Sequence, residues 1–239
     1  MARTAFQKFF APAKKLLPRT VWSKMRALGT AMIAPVRFSI KTGHWKSSLQ
    51  ATARSASGSP IPWYTYPAID FLGQRNFKDR NILEFGGGQS TLWWSARARS
   101  VLTVEENVEW VASLRSRIGG NVSLHYVPAE DTTRNIEPVR AVLDANAITK
   151  FDIIVIDGHL REELTSLVFD YLAPSGALLL DNAEGYGIYD ALKKRNCRRI
   201  DFYGFAPGVI LRHCTSLVFV DDCFLLQSDV PIADIEAGS

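Results

Sequence analysis

A run of three glycines directly follows a short hydrophobic segment that contains an acid. Residues 81–85 read NILEF, and Gly86, Gly87 and Gly88 come next. Glycines between a strand and a helix let a ligand approach the backbone closely, and the helix N-terminus adds exposed N–H donors. Nicotinamide and flavin enzymes share this pattern, but a dinucleotide fingerprint beginning at Gly86 requires a glycine at position 91, where this chain has Thr91. The segment therefore predicts a nucleotide-like ligand other than a dinucleotide.

Acidic residues stand at the expected carboxyl ends of the first three strands. The carboxylate of Glu84 suits a cationic amino group and disfavours a pyrophosphate, which favours S-adenosylmethionine as the ligand. Glu105 is placed to accept hydrogen bonds from ribose hydroxyls, with Glu106 as its competitor. Glu130 and Asp131 follow the third strand, where an adenine ring and its amino group would be held. Together these acids predict a cofactor site along one edge of a sheet.

The elements that must position these residues alternate regularly beyond residue 60. Such alternation of hydrophobic runs and helical patterns is typical of an α/β fold with a mostly parallel sheet. Two final runs, 199–203 and 216–221, lack a helix-length connection and predict an antiparallel pair. The other expected strands are 81–85, 101–105, 122–127, 152–157 and 176–181, and the expected helices are 66–74, 89–98, 107–117, 136–147, 161–172 and 185–195.

Two further segments are candidates for the walls of a binding site. Residues 63–67 read WYTYP and suit stacking on a ring or a lid over the ligand, and packing in the core is the alternative. The loop 203–208 between the last two strands is the other candidate, for the border of an acceptor pocket.

Over about residues 62–221, the chain resembles the class I S-adenosylmethionine-dependent methyltransferases. The residues that carry the resemblance are Glu84, Gly86, Gly87, Gly88, Glu105, Asp157 and the segment 172–182, which reads LAPSGALLLDN. The resemblance implies a Rossmann-like seven-stranded sheet, mostly parallel with the last strand antiparallel, and S-adenosylmethionine as cofactor, with Asp157 among the residues that bind it. It leaves the methyl acceptor open.

The ends of the fourth and fifth strands are similar to those of the metal-dependent catechol-type O-methyltransferases. This similarity implies that Asp157, Asp181 and Asn182 bind Mg²⁺, and hard oxygen ligands suit such an ion, which orients and acidifies an acceptor hydroxyl. In the alternative, Asp157 contacts the substrate or the cofactor, and Asp181 and Asn182 cap the next helix.

The residues after Asp157 depart from the catechol-type pattern, which commonly has a lysine base there. This chain reads DGHLR over residues 157–161. Histidine is the side chain suited to proton transfer near neutral pH, so His159 is the candidate general base beside Asp157, with Arg161 as a charge partner for an anionic acceptor.

The N-terminal quarter of the chain is strongly basic. Residues 1–60 contain eleven Lys or Arg and no Asp or Glu, whereas the remainder has 17 basic and 24 acidic residues. We expect residues 1–60 to be a basic, helical extension and linker, residues 61–225 the methyltransferase domain and residues 226–239 a C-terminal tail. The apolar pattern from 4 to 33, broken by two prolines, predicts two short amphipathic helices, and residues 43–62 predict a linker or a covering loop.

The basic extension has several possible partners. Basic amphipathic helices rest on anionic membranes or pack on their own domain, and a solvated arm or an organelle transit peptide are further interpretations. No apolar run reaches the roughly 18 residues that span a bilayer.

Three cysteines without a Cys-x-x-Cys spacing, Cys197, Cys214 and Cys223, predict neither a disulfide framework nor a metal knot. A cytoplasmic protein, at the inner face of the membrane if the extension binds lipid, is the resulting expectation.

Methyl transfer to an oxygen of a small molecule or a lipid-linked glycan is the leading functional hypothesis. A nucleic-acid methyltransferase that uses the basic extension is the first alternative, but DGHL stands where base-amino enzymes carry an Asn/Asp-Pro-Pro-aromatic motif. A non-catalytic binding protein is the second, and the retained acids Glu84, Glu105 and Asp157 argue against it.

Overall fold

A twisted sheet is the centre of the computed structural model, which describes residues 17–128 and 135–227. Within these residues the sheet has seven strands in the order β3-β2-β1-β4-β5-β7-β6. The first five pair in parallel, and β7 runs antiparallel to both β5 and β6. The strands are β1 (Asn81–Phe85), β2 (Ser100–Glu105), β3 (Val122–Tyr126), β4 (Phe151–Ile156), β5 (Leu172–Leu180), β6 (Arg198–Phe205) and β7 (Arg212–Phe219). The predicted fold class is confirmed, including the antiparallel closing pair.

Helices cover both faces of the sheet, so the central strands are buried on both sides. Leu83, Phe85 and Ile154 point into one core, while Ile82 and Ile153 point into the other. This alternation explains why β1 and β4 are nearly continuous apolar runs. The helices are α1 (Arg19–Thr42), α2 (His44–Gln50), α3 (Tyr66–Gly73), α4 (Gln89–Ser95), α5 (Val108–Arg115), α6 (Glu137–Asp144), α7 (Arg161–Leu167) and α8 (Ile188–Lys193), with short 3₁₀ turns at Val168–Tyr171 and Phe224–Leu226.

The strand order reverses between β1 and β4. From β1 the chain proceeds to β2 and β3 on one side, and β4 and β5 lie on the other. The loops that follow β1 and β4 therefore diverge, and a crevice opens between them at the carboxyl ends of the strands.

The N-terminal helix differs from its prediction. Residues 4–16 of the predicted region lie outside the described ranges, and the described part is a single helix of 24 residues that runs from Arg19 to Thr42, past the expected end near residue 33. Pro18 precedes it at the N-cap, Pro35 lies inside it, and Gly43 ends it in the left-handed conformation at φ +78°. None of its residues is buried, and no helix of the two described ranges is long and apolar enough to cross a membrane.

The segment that we expected to be a linker or covering loop packs on the domain. It contains α2 and an antiparallel bridge between Arg54 and Pro60. Ser47 and Ala53 are buried. The N–H of Gly208 donates to His44 Nδ1 at 3.3 Å, which joins this segment to the loop between β6 and β7. Burial and hydrogen bonding replace the flexibility that its Ser/Gly/Pro-rich composition predicts.

Candidate functional site

A cleft of about 550 Å³ opens at the carboxyl ends of the parallel strands. Its walls fall into two halves on either side of Asp157. The residues of the first half include Gly86, Gly87, Gly88, Glu105, Glu106, Asn107 and Trp110. Those of the second include Trp63, Asp181, Asn182, Ala206, Val209 and His213.

The glycine turn after β1 forms the floor of the first half. Gly86 has φ +90°, and a Cβ there would lie 2.8 Å from the carbonyl carbon and oxygen of Asp157. A Cβ on Gly87 would lie 3.0 Å from side-chain atoms of Leu114 and Thr103, whereas one on Gly88 would meet nothing within 4 Å. Backbone conformation and packing therefore require glycine at position 86, and Gly88 leaves open space for a ligand.

Glu105 lies on the wall of the first half at the end of β2, as predicted. Its side chain is largely buried, and its two oxygens accept hydrogen bonds from the N–H groups of Gly87 and, at 2.7 Å, of Asn107. Burial raises the pKa of the Glu105 carboxyl, and the two backbone bonds oppose that rise. A carboxylate fixed in this way still offers lone pairs to hydroxyl groups in the cleft.

Glu84 lies beneath the cleft and not on its wall, which corrects the prediction that it faces the ligand. Its side chain is completely buried, and Oε2 accepts hydrogen bonds from Thr91 Oγ1 at 2.5 Å and Thr103 Oγ1 at 3.2 Å. Oε1 has no hydrogen-bond partner within the described ranges. Burial raises the pKa of Glu84 to about 7. Thr91 also accepts the N–H of Gly88 at 3.0 Å, so it ties the glycine turn to the acid below.

Asp157 is the carboxylate that reaches the cleft between its two halves. Its backbone N–H donates to the carbonyl oxygen of Phe85 at 2.9 Å, which extends the pairing of β1 with β4 by one residue. Burial is the main cause that holds the pKa of Asp157 well above its ordinary value; the nearby Asp181 adds to the rise, and Arg161 opposes it.

The guanidinium group of Arg161 lies behind Asp157, between the ends of β4 and β5. It donates to the carbonyl oxygens of Gly158, Asp181 and Asp157, to Asp157 Oδ1 at 3.1 Å and to Asn182 Oδ1 at 3.3 Å. Only 10% of its side chain is exposed. Arg161 does not line the cleft, and its contacts are within the protein, so the predicted pairing with an anionic acceptor has no free donor to use.

Comparison with solved structures gives the fold a precedent. No protein-family model and no curated protein sequence matches the chain. An O-methyltransferase from Bacillus cereus, solved in complex with SAH, superposes with a TM-score of 0.50 at 17% identity, over 80% of this chain and 97% of that one. The chain has the class I methyltransferase fold.

Other solved structures match this methyltransferase fold less closely. Precorrin 8w decarboxylase from Methanobacterium thermoautotrophicum matches at 18% identity over 71% of this chain and 96% of its own, with a TM-score of 0.45. Precorrin-6y C5,15-methyltransferase from Geobacter metallireducens matches at 15% identity over 64% and 84%, with a TM-score of 0.44.

The residues expected to bind Mg²⁺ lie together, but their arrangement does not fit the ion. Asp157 and Asn182 direct oxygens at the Arg161 cation, and Asp181 Oδ1 accepts from Thr215 Oγ1 at 2.9 Å. The capping alternative fails too, because α8 begins after Gly187 without a side-chain cap.

A histidine that the sequence analysis did not single out lines the cleft, and the predicted one does not. His159 is 68% exposed and stays outside the cleft, with Nε2 3.3 Å from Glu106 Oε1. His213 lines the cleft instead, with Nδ1 3.0 Å from Asn182 Nδ2. Because we predicted the last strand to begin at 216, His213 fell in a loop; β7 begins at Arg212 and runs antiparallel, which brings its start to the cleft.

The aromatic segment before α3 divides between the cleft wall and the core, and stacking on a ligand ring stays a prediction. Trp63 lines the cleft and donates from Nε1 to the carbonyl oxygen of Pro207 at 2.8 Å, in the loop that we expected to border the pocket. Tyr64 and Tyr66 are buried. Glu130 and Asp131, the predicted adenine-binding acids, lie outside the described residues.

Proposed function

We propose that the protein is an S-adenosylmethionine-dependent methyltransferase that methylates a hydroxyl of a small molecule or a lipid-linked glycan. The observation that carries this proposal is the division of the cleft at Asp157. One half has the glycine turn and a fixed carboxylate, and the other is lined by both polar and apolar side chains. Such a division suits a cofactor in one half and a methyl acceptor in the other, with their reacting groups close to Asp157.

The first half of the cleft fits the cofactor. The close approach of backbone at Gly86 and the open space at Gly88 suit the methionine part, whose ammonium group would meet Asp157. Glu105 would hold the ribose hydroxyls. When bound, S-adenosylmethionine supplies an electrophilic methyl group on a sulfonium. Buried Glu84 would support the turn from below, without contact with the ligand.

The second half would hold the acceptor hydroxyl in line with the methyl group. Asp181 lines it, and burial raises the pKa of Asp181 to about 6, close to the operating pH at which a general base is most effective. We therefore assign proton removal to Asp181 and orientation of the acceptor to His213. The role of general base that the sequence analysis gave to His159 stays a prediction, and a His159→Ala variant tests it.

The apolar face of α1 supports a membrane-linked acceptor. Seven large apolar residues share one side of the helix and are 43–66% exposed: Val21, Met25, Leu28, Met32, Ile33, Val36 and Ile40. The helix contains five basic and no acidic residues. Phe38 anchors its C-terminal end, with its ring edge-on to Tyr66 at 5.2 Å. We propose that α1 lies in the surface of an anionic bilayer, where such helices bind by apolar burial and charge together.

Calorimetry tests the central proposal. The full chain is expected to bind S-adenosylmethionine and SAH with one site and to leave NAD unbound. Glu105→Gln is expected to weaken SAH binding at least tenfold, whereas Glu109→Gln, on the exposed face of α5 four residues later, serves as the matched control with unchanged affinity. Absence of SAH binding to the folded wild type would refute the proposed function.

A further inference from the structure

We propose that the Arg161 guanidinium is the resident cation of this site, in the place that a divalent metal would take, and that the protein methylates a lone hydroxyl without a metal. The substrate part of this inference rests on the proposed function. The cation part does not, because it concerns only the ends of β4 and β5.

The surroundings of Arg161 account for all of its donors. A guanidinium has five N–H groups, and five oxygens accept from this one: three carbonyl oxygens, one carboxylate oxygen and one amide oxygen. The ring of Tyr186 lies 4.5 Å from the guanidinium carbon. Oxygens from the ends of two adjacent strands thus converge on one positive charge, as they would on a hard metal ion.

The backbone next to Arg161 indicates that this cage is held firmly. Leu160, directly before α7, has φ +53°, and Asn182 has φ +47°. The left-handed region is unfavourable for a bulky leucine, so neighbouring contacts must stabilise it. Arg161 makes such contacts to Gly158 on one side and Asn182 on the other.

A resident guanidinium changes which acceptor the site can use. A metal ion has open positions that can bind two neighbouring hydroxyls of a catechol-type acceptor, whereas a guanidinium with every donor in use has none. An arginine is also charged at every working pH, so its cation does not depend on metal supply. Because Asn182 is engaged by Arg161 and His213, the hydroxyl of the acceptor would be held by Asp181 and His213, which suits a single hydroxyl.

Arg161 also acts on the acceptor side indirectly, as a positioning residue. Its bond to Asn182 Oδ1 fixes the orientation of that amide, so Nδ2 donates to His213 Nδ1 at 3.0 Å. Glu184 Oε1 lies 3.6 Å from the same Nδ1, beyond hydrogen-bond distance, so the amide is the nearer partner and the hydrogen of a neutral ring would lie on Nε2. The chain from Arg161 through Asn182 to His213 therefore sets the ring tautomer that meets the acceptor.

Binding of Mn²⁺ alone, followed by electron paramagnetic resonance, tests the resident cation with and without SAH. Wild type is expected to show no saturable site. Arg161→Ala is expected to gain one, at least tenfold tighter than any binding to wild type, because Asp157 and Asn182 lose their cation. Arg195→Ala is the matched control; that arginine lies over Phe169 and donates to the carbonyl oxygen of Ser166, and its loss should leave metal binding as in wild type.

A second variant keeps the test decisive if Arg161→Ala does not fold. Arg161→Lys retains a cation and is expected to bind no Mn²⁺, while ¹⁵N resonances of His213 shift as its amide partner loses orientation. The inference is overturned if wild type binds one Mn²⁺ that Asn182→Ala removes, or if folded Arg161→Ala gains no site. Because these measurements need no acceptor, their failure is distinguishable from an absence of SAH binding, which would refute the methyltransferase proposal instead.

Discussion

Glu84 is an acid that the structure places in the core beneath the cleft and not on the wall of the cleft. Its position before the glycines was predictable, but its direction was not, because direction depends on Thr91 and Thr103 from neighbouring elements. The same Thr91 that excludes a dinucleotide fingerprint is the residue that holds the acid in the core. A sequence pattern gives the spacing of residues along a chain, but packing with neighbouring elements decides to which side of the strand a side chain points.

The burial of Glu84 predicts a specific dependence of stability on pH. Its pKa rises from 4.5 to about 7 on folding, so the folded protein binds more protons than the unfolded chain between these values. The free energy of unfolding should therefore fall as pH rises from 4.5 to 7, by about 3 kcal/mol from this group alone. Urea denaturation of wild type and Glu84→Gln across this range measures the effect as the difference between the two curves. Parallel curves would show that Glu84 does not titrate there.

Gly86 and Gly88 provide a matched pair for the turn. Gly86→Ala places a Cβ 2.8 Å from the Asp157 carbonyl at φ +90°, whereas Gly88→Ala meets no atom within 4 Å. We expect Gly86→Ala to lower the free energy of unfolding by about 2 kcal/mol or more and to abolish SAH binding. Gly88→Ala should retain wild-type stability and lose only affinity. Equal stability of the two variants by chemical denaturation would contradict this account of the turn.

The assignment of Asp181 as the base predicts a pH–rate profile. A base with a pKa of about 6 is deprotonated above that value, so the rate should rise with pH through about 6 and then level. Asp181→Asn should remove this limb and lower kcat by roughly 10²-fold to 10⁴-fold. Release of SAH with a panel of single-hydroxyl acceptors is the measurement. A limb that survives in Asp181→Asn would transfer the role to another group.

At the scale of elements, periodic segments were predictable and the ends of elements were not. The expected strands 81–85 and 101–105 coincide with β1 and β2 to within a residue. A short and nearly continuous apolar run is typical of a strand that is buried on both faces of a parallel sheet. β7 begins four residues before its predicted start, because the polar pair Arg212 and His213 gives no strand pattern. That small error concealed the histidine that lines the cleft.

The first helix extends beyond its expected end at residue 33. The interruption predicted at Pro18 agrees with the start of α1 at Arg19, and Pro35 is accommodated within this long exposed helix. A face of exposed apolar residues on that helix is then an element-scale property that no single residue reveals. Its length lets the apolar stripe run for the whole distance from Val21 to Ile40.

We expect α1 to bind vesicles that contain anionic lipid. Leu28→Gln with Met32→Gln replaces two residues that are 63% and 66% exposed on the apolar face, and should weaken vesicle binding at least tenfold, since each such side chain contributes about 1.5–3 kcal/mol when buried. Thr30→Gln with Ala34→Gln changes the opposite face and is the control. Sedimentation with phosphatidylglycerol vesicles measures the effect, and circular dichroism verifies the helix. Equal loss in both pairs, or dimerisation without lipid binding, would contradict the proposal.

At the scale of the whole molecule, the cleft lies where the strand order reverses and the two halves of the sheet meet. Residues at the ends of β1, β2, β4 and β5, in the loop between β6 and β7 and at the start of β7 line it, so a ligand there couples elements that are far apart in sequence. A ligand that binds only the folded state stabilises it by about 2.7 kcal/mol at a concentration one hundred times its Kd. For a chain of this size, that corresponds to a rise in Tm of roughly 5–10 °C. SAH should produce this rise, whereas NAD should produce none, and Glu105→Gln should reduce the rise at equal SAH concentration. Thermal unfolding followed by circular dichroism measures it, and an equal rise with NAD would show that the cleft selects for adenosine alone and not for the methionine part that Asp157 is proposed to hold.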